Sequence, residues 1–271
     1  EEAWSIAIDS SNFEFKNMEN FYLGLLKEEL AFIIENLKNQ KEYTELDEAL
    51  YEQKILVPLD DEGNIVFKGF VDKILYKTNE GHSVAAIVDY KTGNPELNLN
   101  NVIYGLDMQL PVYAYLLKHF EPLKNASIGG FYLQKIINNE KDIDSKKSAL
   151  KLQGYSNSNP RILEAVDKTY EESTIIKSLR MTKGKFYSYS KVLDDNQIAK
   201  MIEIVEMKIA DAVQNILAGN FQIDPKEIDG KNVGCKFCKY SDICFLKNEN
   251  IVKLEKRKKE EFLGGEEDGL D

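Results

Sequence analysis

The alternation of apolar and polar positions in the first half of the chain predicts one helix followed by three β-strands. From Phe15 to Leu37 apolar side chains recur at helical spacing, which indicates a helix that packs on one face. Glu80-Gly81 suits a hairpin turn, so the two strands that flank it are expected to pair antiparallel. The predicted strands are Leu50–Leu59, Val66–Tyr76 and Val84–Lys91.

The second half of the chain mixes helical, strand-like and polar segments. An apolar segment from Asn98 to Phe120 carries a predicted helix, and the run from Ser127 to Ile136 predicts a fourth strand. The stretch from Asn138 to Asn159 is rich in Lys, Asp and Ser, which predicts an exposed loop or a partly disordered insertion. A long amphipathic helix is predicted from Asp195 to Leu217, with Gly219 as its C-cap.

Composition fits one large domain, because 271 residues with 43% hydrophobic content can bury a substantial core. No segment is long and apolar enough to span a membrane, and a cytoplasmic location is expected. The net charge of −11 disfavours a uniformly DNA-binding surface, since phosphate contacts need Lys and Arg. The charge is unevenly distributed, however, because residues 145–191 hold ten basic and four acidic side chains.

This basic stretch leaves two interpretations open. Its cations and rings, which include Tyr155 and Phe186, could form a wall that guides a DNA strand and stacks unpaired bases. It could equally be a solvated hairpin whose aromatic side chains pack across strands. The candidate DNA-binding residues are Lys177, Arg180, Lys183, Lys185, Tyr187 and Tyr189.

Two aspartates fall at facing positions of the predicted hairpin. With a turn at Glu80-Gly81, paired residues have numbers that sum to 161, as Asp72 and Asp89 do. Opposed Cβ atoms in such a ladder lie about 4.5–5.5 Å apart and like charges repel there, so the pair calls for a cation such as Mg²⁺. Lys91 lies two residues beyond Asp89 and therefore shares its face.

The chemistry that suits this site is phosphodiester hydrolysis, in which a divalent ion polarises the phosphate and activates water. Asp72, Asp89 and the backbone carbonyl of Tyr90 are the candidate metal ligands. Lys91 could orient the water or stabilise charge on the phosphoryl oxygens. Taken alone, the segment from Asp89 to Gly93 would also suit a strand end that enters a turn.

Three motifs in this order resemble the PD-(D/E)XK nuclease superfamily, and within it the RecB-like branch. They are Gly69-x-x-Asp72, Asp89-Tyr90-Lys91-Thr92-Gly93 and Gln109-Leu110-Pro111-x-Tyr113, followed by the strand-like Ile128-Gly-Gly-Phe-Tyr132. The resemblance covers about residues 50–245 and implies an α/β (α+β) fold with a restriction-endonuclease-like core, a mixed central β-sheet flanked by helices.

The resemblance also implies roles for individual residues. Asp72 and Asp89 would bind metal, Lys91 would be catalytic, and Gln109 and Tyr113 would stand beside the active site as further catalytic residues. Glu52 matches a glutamate on the strand before the site and is a further candidate metal ligand. A strand glutamate that simply faces solvent is the alternative.

Cys235, Cys238 and Cys244 form a C-x2-C-x5-C motif, whereas clusters and structural zinc want four ligands. The motif resembles the 4Fe-4S staple of AddB-type helicase–nuclease subunits and of CRISPR-adaptation nucleases, in which a fourth cysteine lies upstream. This sequence has only three cysteines and begins at Glu1 without methionine, so a piece of a longer protein with a former or partial cluster site is expected. Three reduced bystander thiols are the alternative.

The resemblance implies an exonuclease domain of an AddAB-type enzyme that repairs double-strand breaks by recombination and degrades the 5′-ended strand. No phosphate-binding loop is present, so the motor would belong to an AddA-type helicase partner or lie elsewhere. The alternatives are a stand-alone CRISPR-adaptation-type iron–sulfur exonuclease and a catalytically inactive DNA-binding or scaffolding relative. The expected parts are an N-terminal helical segment (1–45), the nuclease domain with its cysteine motif (46–248) and a charged tail (249–271) in which a helix frays.

Overall fold

A six-stranded mixed sheet lies at the centre of the computed structural model, which describes residues 2–10, 17–94, 96–137, 140, 142–232, 234–235 and 238–265. The strands are β1 (Glu48–Pro58), β2 (Val66–Asn79), β3 (His82–Lys91), β4 (Ser127–Lys135), β5 (Gln153–Asn157), β6 (Met181–Thr182), β7 (Lys185–Phe186), β8 (Val192–Leu193), β9 (Lys226–Ile228), β10 (Lys231–Asn232) and β11 (Val252–Leu254). The main sheet has the order β1-β2-β3-β4-β5-β8. This architecture confirms the expected mixed sheet.

Helices flank the sheet. They are α1 (Glu2–Asp9), α2 (Asn17–Gln40), α3 (Gln109–Lys118), α4 (Ile143–Ala149), α5 (Pro160–Val166), α6 (Asp195–Leu217) and α7 (Glu260–Leu263), with 3₁₀ turns at Lys41–Tyr43, Leu99–Tyr104 and Asn248–Asn250. The predicted bounds of α6 are confirmed, because Asp194 and Gln197 form a capping box at its start and Gly219 follows its end with a φ of 66°. Within the described residues, no helix combines the length and apolar character needed to cross a membrane.

The hairpin of β2 and β3 has the predicted register. Glu80 and Gly81 have φ values of 47° and 84°, the left-handed backbone that a two-residue hairpin turn requires. Pairing runs from Asn79 opposite His82 to Lys73 opposite Val88. β1 pairs antiparallel with β2, β4 runs parallel to β3, β5 antiparallel to β4, and β8 parallel to β5.

Each face of the sheet has its own core. One face packs against α3 and α6 through buried residues such as Ile87, Leu116 and Val205. The other face packs against α5, where Val88 and Leu163 are buried. Odd-numbered residues at the end of β3 therefore face α3, and even-numbered residues face α5.

α3 approaches β2 closely because Gly69 has no side chain. A Cβ atom at this position would lie 2.3 Å from Leu116 Cδ1, well inside van der Waals contact. The glycine of the Gly69-x-x-Asp72 motif thus lets the helix lie directly on the strand that carries Asp72. The packing sets where the first residue of α3 stands relative to the sheet.

The prediction of an exposed loop from Asn138 to Asn159 is wrong for much of this stretch. It contains α4 and β5, and Tyr155 of β5 is only 6% exposed. The polar letters of β5 misled the prediction, because Ser156 Oγ hydrogen bonds to Tyr132 Oη at 2.8 Å and Asn157 Nδ2 donates to a buried carbonyl. Residues 138, 139 and 141 lie outside the described residues.

The expected frayed helix beyond Asn248 is also wrong as far as Leu263. β11 runs parallel to β9, and α7 buries Leu263, which is 1% exposed, in the core beside α6. The apolar residues Phe262 and Leu263 anchor this charged stretch on the core. Residues 266–271 lie outside the described residues.

Candidate active site

The hairpin and α3 bring the predicted site residues to one end of the sheet. Asp72 on β2 and Asp89 on β3 directly follow the last pair of the hairpin, Lys73 and Val88, in the same register. Lys91 is the last residue of β3, and Gln109 is the first residue of α3.

Gln109 connects the catalytic candidates through its side-chain amide. Its Nε2 donates to Asp89 Oδ1 at 2.8 Å and to Tyr113 Oη at 3.1 Å, one helical turn further on. Its Oε1 accepts a hydrogen bond from Lys91 Nζ at 2.7 Å. Asp89, Lys91, Gln109 and Tyr113 therefore form one connected polar group, and their catalytic roles stay predictions.

Asp89 is buried, with 1% of its surface exposed, and carries the unusual electrostatics of the site. Burial raises the pKa of its carboxyl above the ordinary value, Lys91 opposes this rise by hydrogen bonding and charge, and the charge of Asp72 adds to it. Burial likewise raises the pKa of the Tyr113 hydroxyl. Tyr113 therefore keeps its proton at neutral pH.

The oxygen atoms of the two aspartates fit a cation. Lys91 Nζ lies 2.6 Å from the buried Asp89 Oδ2, so the ammonium forms an ion pair with this oxygen, which has no other partner within the described residues. A buried carboxylate is costly unless a cation is paired with it, and Lys91 supplies one such charge. Asp72 lies beside it, fixed by a hydrogen bond from the Tyr90 backbone N–H to Asp72 Oδ2 at 3.1 Å.

Glu52 is not gathered with the two aspartates. Across the described part of the chain, no cluster of three or more His, Cys, Asp or Glu side chains that could hold a metal ion is present. Glu52 is exposed, and its left-handed φ of 46° interrupts β1 between Tyr51 and Gln53, at the level of Asp72. Such backbone strain in a non-glycine residue clusters at functional sites.

The cysteines lie apart from this site. Cys235 and Cys244 are half-buried, Cys238 is exposed, and all three are free thiols. The Cys238 N–H donates to the Cys235 carbonyl, but the thiols form no metal-holding group among the residues described. Residues 236 and 237 lie outside those residues.

The structure divides the basic stretch between core and surface. Tyr155 belongs to the core and Phe186 packs against the core on the other face of the sheet, so the expectation that these two rings contact a DNA strand is wrong. Tyr187 and Tyr189 stack with ring centroids 5.3 Å apart, and the Arg180 guanidinium lies 5.3 Å from the Tyr187 ring centre. The exposed cations in the same region are Lys177, Arg180, Lys183 and Lys185.

Sequence reasoning missed one group next to the site, which consists of Tyr51, Lys73 and Tyr90. Their side chains lie on the sheet face opposite Asp72 and Asp89. Strand alternation could have found them, since Lys73 and Tyr90 are the chain neighbours of the two aspartates.

The six-stranded mixed sheet flanked by helices is that of a restriction-endonuclease-like fold, and the two aspartates and the lysine lie at one end of it. The model of the PD-(D/E)XK nuclease superfamily matches residues 1–245. The chain therefore belongs to the PD-(D/E)XK nuclease superfamily.

Several curated proteins are similar to this chain, and each is named as a subunit of an ATP-dependent helicase/deoxyribonuclease. The protein of Clostridium acetobutylicum is 29% identical over 203 residues, which is 70% of this chain and 18% of the relative. That of Caldanaerobacter subterraneus subsp. tengcongensis is also 29% identical over 203 residues, or 70% and 17%. That of Natranaerobius thermophilus is 25% identical over 213 residues, or 73% and 18%. The chain thus spans less than a fifth of the length of these relatives.

Proposed function

We propose that this chain is the metal-dependent DNA exonuclease domain of an AddAB-type helicase–nuclease. The proposal is supported most directly by the buried Asp89 carboxylate, which is ion-paired with Lys91 at 2.6 Å and feels the charge of Asp72. Two carboxylates and a lysine at one end of the sheet are groups that suit metal-dependent phosphodiester hydrolysis.

Asp72, Asp89 and the carbonyl of Tyr90 would hold Mg²⁺ or Mn²⁺, and exposed Glu52 could add a ligand. Mg²⁺ keeps several waters and takes one or two carboxylates, so two aspartates suffice. When bound, the ion polarises the phosphodiester and lowers the pKa of a water. Membership of the PD-(D/E)XK nuclease superfamily supports this proposal.

The protein residues supply positioning and charge. Gln109 holds Lys91 by its carbonyl oxygen and Asp89 by its amide nitrogen, so the ammonium and the carboxylate keep one relative orientation. Lys91 places its positive charge where the attacking water or the phosphoryl oxygens would lie. Tyr113 keeps its proton and ends the hydrogen-bonded group on the solvent side.

The names of the relatives support the larger setting. They are named as helicase/deoxyribonuclease subunits, and this chain covers 17–18% of their length. We propose that it degrades the 5′-ended strand at double-strand breaks during recombinational repair in the cytoplasm, with an AddA-type helicase partner. The cysteines would be three ligands of a 4Fe-4S cluster whose fourth ligand lies outside this sequence, and iron determination on a longer chain tests this.

The exposed hairpin of β6 and β7 would bind the DNA strand that leaves the site. β8 begins at Val192 opposite Ser156, while Gln153 pairs with Leu133, which in turn pairs with Asp89. Val192 is therefore level with Ala86, about 10 Å along the sheet from Asp89 and about 15 Å across it at the usual strand spacing, and the chain approaches β8 from the Asp89 end of the sheet.

The side chains of this hairpin suit an unpaired strand. Arg180, Lys183 and Lys185 are exposed cations, and Tyr189, which is 51% exposed, offers a face for stacking. Phe186 anchors the hairpin on the α5 side of the sheet, so a strand would reach the site around the end of the sheet.

The test is Mg²⁺- or Mn²⁺-dependent degradation of end-labelled single- and double-stranded DNA by the wild-type chain and by Lys91→Ala. The matched control is Lys135→Ala, because Lys135 faces Lys91 on the next strand but hydrogen bonds to Asn94 instead. We expect loss of at least a hundredfold in rate for Lys91→Ala alone. Equal rates for all three proteins would refute the assigned site, and DNA binding without hydrolysis by the wild type would favour the inactive relative.

A further inference from the structure

A lysine and two tyrosines form a row on the reverse side of the sheet, directly behind the candidate active site. Lys73 Nζ lies 5.8 Å from the ring centre of Tyr51 and 5.9 Å from that of Tyr90. Lys73 pairs with Tyr51 on β1 and with Val88 on β3, and Tyr90 lies two residues beyond Val88. The row therefore crosses three adjacent strands.

The two rings are the favourable partners of the Lys73 ammonium. No ion pair of Lys73 occurs within the described ranges of the chain. Burial, together with the positive charge of Lys41, lowers its pKa, so the surroundings disfavour the charge. Aromatic faces on two sides offset part of this cost, because each attracts a cation electrostatically.

Two members of the row are chain neighbours of the metal-ligand candidates. Lys73 follows Asp72, and Tyr90 follows Asp89 and precedes Lys91. The Tyr90 N–H also donates to Asp72 Oδ2 at 3.1 Å, so the position of Tyr90 sets the position of the Asp72 carboxylate. A displacement of the Tyr90 ring would be transmitted to this hydrogen bond.

We propose that Lys73 is a positioning residue, which holds the rings of Tyr51 and Tyr90 together across β2 and thereby fixes the Tyr90 N–H against Asp72. The spacing of the Asp72 and Asp89 carboxylates then depends on a side chain that touches neither of them. The structural effect stands on the geometry of the row alone, and its catalytic consequence rests on the function proposed above.

The first test measures amide hydrogen exchange at Tyr90 without metal. Lys73→Met is expected to speed exchange at this amide about three- to tenfold, with Lys73→Arg near the wild type because arginine also stacks on aromatic rings. The matched control is Lys68→Met, since Lys68 lies 5.8 Å from the Phe70 ring on the same strand but away from the site. Unchanged Tyr90 exchange in a folded Lys73→Met protein would overturn the proposal.

A second variant keeps the test decisive if Lys73→Met does not fold. Tyr51 is 58% exposed, so Tyr51→Leu removes one ring with little loss of core packing. It should change Tyr90 exchange in the same direction by a smaller factor. Unchanged Tyr90 amide exchange in Tyr51→Leu would also contradict the proposed role of the row.

The last test measures Mn²⁺ binding by calorimetry and the metal dependence of DNA hydrolysis. Lys73→Met should weaken Mn²⁺ binding at least threefold, while saturating metal restores most of the maximal rate. If the wild type neither binds Mn²⁺ nor hydrolyses DNA, the proposed function fails, although faster Tyr90 exchange would still support the row. If the wild type binds Mn²⁺ and hydrolyses DNA, and Lys73→Met matches it in Mn²⁺ binding and in Tyr90 amide exchange, the proposed role of the row is refuted while the proposed function stands.

Discussion

Replacing Gln109 with leucine tests the central hydrogen-bonded group of the site. The side-chain amide of Gln109 makes three hydrogen bonds, and two of them go to the charged groups of Asp89 and Lys91. Leucine removes all three and adds no charge. Because Gln109 is exposed at the start of α3, and leucine is a good helix former, the fold should tolerate the change.

The size of the effect follows from the burial of the partners. Water can replace the bond to Lys91, whose side chain is 32% exposed, but hardly the bond to Asp89, which is 1% exposed. A hydrogen bond to a charged group contributes about 1.5–3 kcal/mol. We therefore expect a fall of roughly ten- to a hundredfold in the hydrolysis rate, at about 1.4 kcal/mol per factor of ten. The free energy of unfolding should change by less than about 1 kcal/mol.

The pH dependence of the hydrolysis rate gives an independent test of whether Gln109 acts through Asp89. Asp89 must be ionised to bind a cation, and burial already raises its pKa. The bond from Gln109 Nε2 favours the ionised form, so its loss raises this pKa further. The acid limb of the rate profile should therefore move to higher pH in Gln109→Leu. In Gln109→Glu, a second carboxylate beside Asp89 should move the limb further still.

The assay is the initial rate on end-labelled single-stranded DNA at saturating Mg²⁺ across a pH series, beside thermal melting. Gln53→Leu is the matched control, because within the described part of the chain the Gln53 side chain hydrogen bonds only to the adjacent Lys54 carbonyl. A wild-type rate for Gln109→Leu at every pH would refute the reasoning. A lower rate with an unmoved acid limb would show that Gln109 does not act through Asp89.

Two further predictions concern the support of the site and the DNA surface. Gly69→Ala should lower stability by about 1–3 kcal/mol in a melting experiment, because the new methyl group would lie 2.3 Å from Leu116 Cδ1, and a smaller residue at Leu116 should recover part of the loss. Tyr189→Ala should weaken single-stranded DNA binding by about 1–3 kcal/mol with little change in melting, whereas Tyr155→Ala should destabilise the fold by about 3–5 kcal/mol. The reverse pattern for the two tyrosines would show that the hairpin is not the DNA surface.

The sequence predicted the elements whose signals are local. The turn at Glu80 and Gly81 fixes the register of β2 against β3, and a register fixes every facing pair, including the level of Asp72 and Asp89. The bounds of α6 were predictable because its N-terminal cap is formed by residues close together in the sequence, Asp194 and Gln197.

Elements whose stability depends on distant partners escaped prediction. β5 has the polar sequence of a loop, and it forms an inner strand because Ser156 and Asn157 find buried hydrogen-bond partners on distant residues. The segment before α3 reads as helix, but it forms a 3₁₀ turn that Gly105 ends with a φ of 74°. Gln109 therefore begins a new helix, and its contact with Asp89 depends on how α3 packs over Gly69.

The candidate site and the row of Tyr51, Lys73 and Tyr90 behind it lie on opposite faces of the sheet, because successive strand residues point to opposite faces. Asp72 and Asp89 point toward α3, and the residues that follow them, Lys73 and Tyr90, point the other way. The chemistry of the first face can be predicted from a single hairpin, because both aspartates belong to it. The row on the second face also needs Tyr51 of β1, so it becomes visible only when the strand order is known. Substitutions of Lys73 and Tyr51 should therefore alter metal binding, although these two residues belong to none of the three sequence motifs.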